Sequence, residues 1–150
     1  IKNGDPYQWQ VEQTVNEIVS LLNIENLDWI ISYQSRVGPL KWIGPSTDHT
    51  IIENAKLGKH IVIVPIAFVS EHSETLVELD IDYRELAKKH EIFHYARVPT
   101  VGTNKEFIEG LATIVRNRLR RDDRLARCGV GDGARCCPRQ FSVCGHGTAP

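Results

Sequence analysis

The run from His60 to Phe68 does most to decide what this chain can become. It reads His-Ile-Val-Ile-Val-Pro-Ile-Ala-Phe, apolar and mostly β-branched, with no polar residue at alternate positions. A strand with one wet face alternates; a strand that does not alternate is covered on both faces. Helices supply that cover in α/β proteins, and helical periods stand on either side of this run.

Upstream, Asp5-Pro6 predicts a helix start, with Asp5 as N-cap and Pro6 in the first turn. Val11, Val15, Ile18 and Leu22 then share one helical face. Asp28 to Gln34 alternates, with Trp29, Ile31 and Tyr33 against Ile30, Ser32 and Gln34, and is expected as a strand. Arg36 to Pro45 carries two Gly-Pro breaks and is expected as a loop. Ser46-Thr47-Asp48 caps a short helix that ends near Gly58.

Downstream, Leu76, Leu79, Tyr83 and Leu86 form the expected buried stripe of a helix. Ile92 to Val98 is a shorter strand. Thr103 or Asn104 caps a last helix that turns Phe107, Leu111, Ile114 and Val115 inward. The order is a helix, then strand–helix three times. Strands alternating with helices imply an α/β fold with a parallel sheet. Ligands of such sheets bind beyond the C-terminal ends of the strands. Three loops are expected there: Gln34 to Pro45, Val69 to Glu74, and Pro99 to Thr103. Trp42, His72 and Glu74 should therefore meet at one crevice.

The chain has 150 residues, which suits a single domain. Its formal net charge of -1 offers no global electrostatic case for nucleic acid. The longest apolar run, Ile61 to Val69, falls far short of the ~20 residues of a spanning helix. The chain starts at Ile1 and contains no Met, as expected of a fragment or a processed chain. From Arg116 onward every basic residue is Arg, and all four cysteines follow. We expect an α/β domain over 1–121 and an irregular Cys-rich tail over 122–150.

The richest chemistry lies in Ser70-Glu71-His72-Ser73-Glu74. Glu71, Glu74, Glu78 and Asp82 are spaced so that a helix would stack them in one stripe. Carboxylate and imidazole oxygens and nitrogens suit hard or borderline divalent cations. A bland reading stands beside this one. Like charges at this spacing cost only about 0.2–0.5 kcal/mol per pair, so a solvated acidic face is cheap. His72 could simply cap a helix, and Trp42 could be ordinary packing.

Four collinear segments add a resemblance. Pro65-Ile66-Ala67-Phe68-Val69-Ser70-Glu71-His72-Ser73-Glu74-Thr75-Leu76 resembles the ferrochelatase signature around the active-site Glu. Asn3-Gly4-Asp5-Pro6-Tyr7, Gln34-Ser35-Arg36-Val37-Gly38-Pro39 and Trp42-Ile43-Gly44-Pro45-Ser46-Thr47-Asp48 resemble family segments in the same order. The likeness covers about Ile1 to Asn117 and is to the C-terminal half of such an enzyme. It implies half of a doubly wound, three-layer chelatase-like fold.

The resemblance also implies roles. Family members insert ferrous iron into protoporphyrin IX to make protoheme. Glu74 matches the active-site Glu, a proton acceptor and metal ligand, and His72 its neighbouring His. Glu78 and Asp82 match acidic positions proposed for metal or relay, and Glu71 stands where the family often has Asp. Trp42 matches an aromatic residue beside the porphyrin. A second active-site His should lie just before Asn3, outside this chain, so the missing N-terminal half would be a required partner. A tetrapyrrole- or metal-binding module without turnover, or a chelatase for another metal or tetrapyrrole, is the alternative.

Some members carry a [2Fe–2S] cluster on C-terminal cysteines, and Cys128, Cys136, Cys137 and Cys144 are similar in position. Zinc on three of them with His146, thiols without metal, and an unrelated chain end are the rivals. The resemblance implies a bacterial cytoplasmic protein, peripheral to the membrane, or else one on the matrix side of the mitochondrial inner membrane.

Overall fold

The computed structural model describes residues 4–34, 42–120 and 136–143. The chain divides into two compact units, Thr14–Gly102 and Ile1–Gln13 with Thr103–Pro150. The boundary expected near Arg121 falls at the edge of the described residues.

Helix α1 spans Tyr7–Leu22. Asp5 starts it as the sequence predicts: its Oδ1 accepts the Tyr7 N–H at 2.8 Å. Helix α2 spans Thr47–Lys56 and buries Thr47 and Ile51. Gly58 ends it at φ 66°, a left-handed value that glycine adopts without a Cβ clash.

Two strands follow, β1 (Ile61–Ile63) and β2 (Tyr95–Arg97). They pair in parallel, Ile61 opposite Tyr95 and Ile63 opposite Arg97. The apolar run is thus mostly not ladder. Pro65 lacks an N–H two residues past β1, and Pro99 stands two past β2, so neither ladder extends far. The expected strand over Asp28–Gln34 reduces to one parallel bridge, Tyr33 to Ser46. Tyr33 N–H donates to the Pro45 carbonyl and Thr47 N–H to the Tyr33 carbonyl. An alternating segment becomes a strand only where a neighbour offers a full row of partners.

Between the strands runs one helical stretch of two kinds. Glu74–Asp82 is a π-helix, and α3 (Tyr83–Lys89) continues it. The expected stripe shifts as a result. Leu79 is fully buried, but Leu76 is 49% exposed and Thr75 takes its inward place. The inward positions are Thr75, Leu79, Tyr83 and Ala87, four apart. A four-residue spacing drifts about 40° per step round an α-helix. An i→i+5 turn holds more than four residues and drifts the other way, so the mixed helix keeps that row straight. Ile51, Ala87 and Ile92 form the core, with Ala55, Ile61, Ile63, Tyr83, Leu86 and Tyr95 packed against them.

Helix α4 spans Lys105–Leu119, and Asn104 is its cap, accepting from the N–H groups of Glu106 and Phe107. The residues expected inward are not covered: Leu111, Ile114 and Val115 are exposed and the helix buries none of its residues. In the same unit Trp9 packs on Phe141 with ring centroids 6.0 Å apart. Among the described residues no helix is long and apolar enough to cross a membrane.

Candidate functional site

The turn after β1 is tied down at several points. Val69 accepts the Gly102 N–H at 2.8 Å through its carbonyl. The buried Thr75 hydroxyl accepts the His72 N–H at 3.0 Å and lies 3.1 Å from the His72 carbonyl. These bonds aim His72 and Glu74. His72 Nδ1 lies 2.7 Å from Glu74 Oε2, and Ser73 Oγ donates to the same oxygen at 2.8 Å. The Glu74 N–H also lies 3.2 Å from Nδ1, so this nitrogen faces both a carboxylate acceptor and an amide donor. The Ser73 hydroxyl, and then the backbone N–H and His72, pull the Glu74 carboxyl below its usual range. Glu74 is therefore an anion at neutral pH. The His72 ring is braced edge-on by Phe68, centroids 4.4 Å apart.

Glu74 opens on a cleft of about 1000 Å³ lined by Gln34, Trp42, Asp48, Glu74, Glu78 and Asp82 among others. The expected meeting of Trp42 with Glu74 is observed; His72 reaches the cleft only through Glu74. Four carboxylates line the cleft, and none of its described lining residues is Lys, Arg or His. Such a concave acidic surface concentrates cations.

Glu78 is held from both oxygens. Gln34 Nε2 donates to Oε2 at 2.9 Å and the Tyr83 hydroxyl donates to Oε1 at 2.8 Å. Burial and the Glu78 charge keep Tyr83 firmly protonated, so it stays a donor. Gln34 also donates to the Glu74 carbonyl at 3.1 Å, and its own carbonyl accepts Trp42 Nε1–H at 3.2 Å. One glutamine thus links the tryptophan to the acidic helix. The Ser46 hydroxyl is the main influence holding Asp48 below its usual range.

Glu74, Glu78 and Asp82 line the cleft from the π-helix as the stripe expects. Glu71 does not join them. It precedes the helix and accepts from Arg97 Nη1 and the Thr100 N–H, both at 2.9 Å. Among the described residues no three His, Cys, Asp or Glu side chains stand together as a metal cage.

Sequence reading missed Gln34, Tyr83, Asp48 and Arg97 as site residues. Gln34 and Asp48 sit inside segments that carry the family likeness, which was the available signal. Tyr83 reads as core by its period, and only its hydroxyl partner reveals more. Arg97 has no local signal at all.

Of the tail cysteines, Cys128 and Cys144 lie outside the described residues. Cys136 is exposed and Cys137 is buried, its sulfur accepting from Gln10 Nε2 at 3.6 Å. A cluster or a zinc ion needs thiolates aimed at one point. Cys136 and Cys137 differ in exposure, and the other two cysteines of the expected set lie outside the described residues.

Residues 1–119 match the family model described as Ferrochelatase. A ferrochelatase of Pelagibacter ubique is 58% identical over 146 residues, covering 96% of this chain and 41% of that protein. The ferrochelatase of Rickettsia typhi is 51% identical over 144 residues, covering 96% of this chain and 42% of its own length. That of Rickettsia conorii is 50% identical over 145 residues, with the same coverage. The chain spans about two fifths of the length of these curated relatives, in keeping with a C-terminal half. The alignments cover 96% of this chain, so they run on into the tail past residue 119, where the family-model match ends. With four collinear motifs, a parallel α/β unit and a model match over 1–119, this chain belongs to the ferrochelatase family.

Proposed function

We propose that this chain supplies the metal- and proton-handling side of a site that inserts ferrous iron into protoporphyrin IX. One observation carries the reading: Glu74, paired with His72 at 2.7 Å, stands in an acidic cleft that Trp42 also lines. Insertion replaces two pyrrole N–H protons by one Fe²⁺, so two protons must leave. The Glu74 carboxylate meets the cation as an anion. His72 takes a proton, and the carboxylate beside Nδ1 stabilises the imidazolium that results. The second proton leaves through Glu74 once iron has passed to the ring nitrogens.

Iron is substrate and has to be released, so a tight cage would defeat the reaction. Glu78 and Asp82, spaced along the helix behind Glu74, form a row of weak oxygen stations for the ion. Gln34 and Tyr83 keep Glu78 fixed in that row. Trp42 offers an aromatic face to a flat macrocycle. The remaining wall belongs to the N-terminal portion that the longer relatives carry. By the family resemblance alone we place the protein in the bacterial cytoplasm, peripheral to the membrane.

The test joins this chain to the part of the Pelagibacter ubique relative that it does not cover. Under anaerobic conditions the folded chimera should consume protoporphyrin IX fluorescence when given Fe²⁺. Glu74→Ala should lower kcat about 100-fold or more, the scale of a lost acid–base group. A chimera that binds porphyrin or iron without turnover would make the chain a binding module. Preference for another divalent metal over Fe²⁺ would make it a different chelatase. Full activity in Glu74→Ala would remove Glu74 from the site.

A further inference from the structure

Glu71, Asp80 and Arg97 come from three separate segments and meet in one charged knot. Arg97, at the end of β2, has a side chain only 9% exposed. Its Nε donates to Asp80 Oδ1 at 2.7 Å and its Nη2 to Asp80 Oδ2 at 2.6 Å. Its Nη1 donates to Glu71 Oε1 at 2.9 Å and lies 3.3 Å from the Val98 carbonyl. The same Glu71 oxygen accepts the Thr100 N–H at 2.9 Å. Hydrogen bonds from Thr75, the Thr100 N–H and Arg97, in that order, lower the Glu71 carboxyl to about 2. Arg97 in turn is held charged by the two carboxylates.

A guanidinium fork is rigid and planar, so a bidentate pair fixes direction as well as distance. Asp80 lies in the π-helix, Glu71 in the turn before it, and Arg97 in the sheet. The fork therefore ties both the turn before the π-helix and the later part of that helix to the sheet. His72 and Glu74 lie between those two fixed points.

We propose that Arg97 is a positioning residue for the His72–Glu74 pair, and that Glu71 is its strut rather than a ligand of the metal. The proposal rests on the reading that this pair takes part in iron insertion. Misplacing a reacting group by about 1 Å can cost 100-fold in rate, so a strut of this kind has kinetic weight.

Two measurements test it. The first needs no turnover: hydrogen–deuterium exchange of the full chain, wild type against Arg97→Gln. Amides from Val69 to Thr75 should exchange at least tenfold faster, while those of Ile51 and Ala87 in the core stay as they were. A uniform rise across the core would mean that Arg97 only stabilises the fold, and no change at the turn would overturn the proposal. The second uses the active chimera. Arg97→Gln and Glu71→Ala should lower kcat about 10- to 30-fold per folded enzyme, with KM for Fe²⁺ within about twofold, if the geometry alone is lost. Glu71→Gln keeps the Oε1 acceptor for both donors and should retain at least a third of kcat. A Glu71→Gln enzyme with KM for Fe²⁺ raised as much as in Glu71→Ala would make Glu71 a metal ligand and overturn the strut. A wild-type chimera without turnover would sink the proposed function, and the exchange result would still decide the positioning.

Discussion

The helical stretch Glu74–Lys89 and helix α4 look alike in sequence and differ in the structure. Both carry an apolar stripe and acidic residues. The first buries Thr75, Leu79 and Ala87; the second buries nothing. The first is also bound by side chains from outside its own ladder. Tyr95 Oη donates to the Leu79 carbonyl at 2.6 Å and Gln34 to that of Glu74 at 3.1 Å. Polar tie points of this kind hold the helix that lines the acidic cleft. α4 carries its Asn104 cap and a Lys105–Glu109 pair at 3.9 Å. An apolar stripe states a demand for cover; it does not say that the cover is present in this chain.

The largest effect that sharpens this contrast is a core truncation. Leu79→Ala should cost about 2–5 kcal/mol in denaturant unfolding of this chain, because the site cannot collapse fully. Leu111→Ala, the analogous change on α4, should cost less than about 1 kcal/mol, as exposed sites do. Equal losses would erase the distinction between the two helices.

Acid should loosen the first region before the second. Glu71 has its carboxyl lowered to about 2 from an ordinary 4.5, and Glu74 and Asp80 are lowered too. As pH falls, the unfolded chain binds these protons first, so the stability they contribute is complete above about pH 5 and is lost towards pH 2. The melting temperature should be flat above that window and fall within it, and Glu71→Gln should flatten part of the fall. A slope unchanged in Glu71→Gln would show that this carboxylate is not coupled to folding.

The smallest effect concerns the α4 cap. Asn104→Ala removes the acceptor for two N–H groups and should cost about 1 kcal/mol of local helix stability. Amide exchange in the first turn of α4 should register it while the Leu79 region stays protected. Loss of protection in both regions together would show that they unfold as one.

Much of the site was legible because its chemistry is local. Glu74 and His72 are two residues apart, and a strand-to-helix turn forces them together. Trp42 was expected there as part of a loop after a parallel strand; the structure brings it there without that strand, through the Tyr33–Ser46 bridge and its bond to the Gln34 carbonyl. The order of the helices and of β1 and β2 was legible because caps, glycines and prolines act on their neighbours, while the strand expected over Asp28–Gln34 was not formed. Glu71 shows the limit. Its spacing fitted the acidic stripe, and its true partners, Arg97 and Thr100, are 26 and 29 residues away. A charge chooses among partners that only the folded chain brings within reach.

The residues by themselves determined the α/β class, the start of α1 at Asp5, that of α4 at Thr103 or Asn104, the end of α2 near Gly58, and the family. These follow from backbone sterics, capping and a local motif. The tertiary structure decided the rest. It shortened the sheet to Ile61–Ile63 and Tyr95–Arg97, because ladder bonds need a facing strand. It wound Glu74–Asp82 into a π-helix that no residue type announces, with side-chain donors holding the widened turns. It drew Glu71 away from the acidic row into the grip of Arg97, because a buried guanidinium takes the carboxylates the fold places beside it.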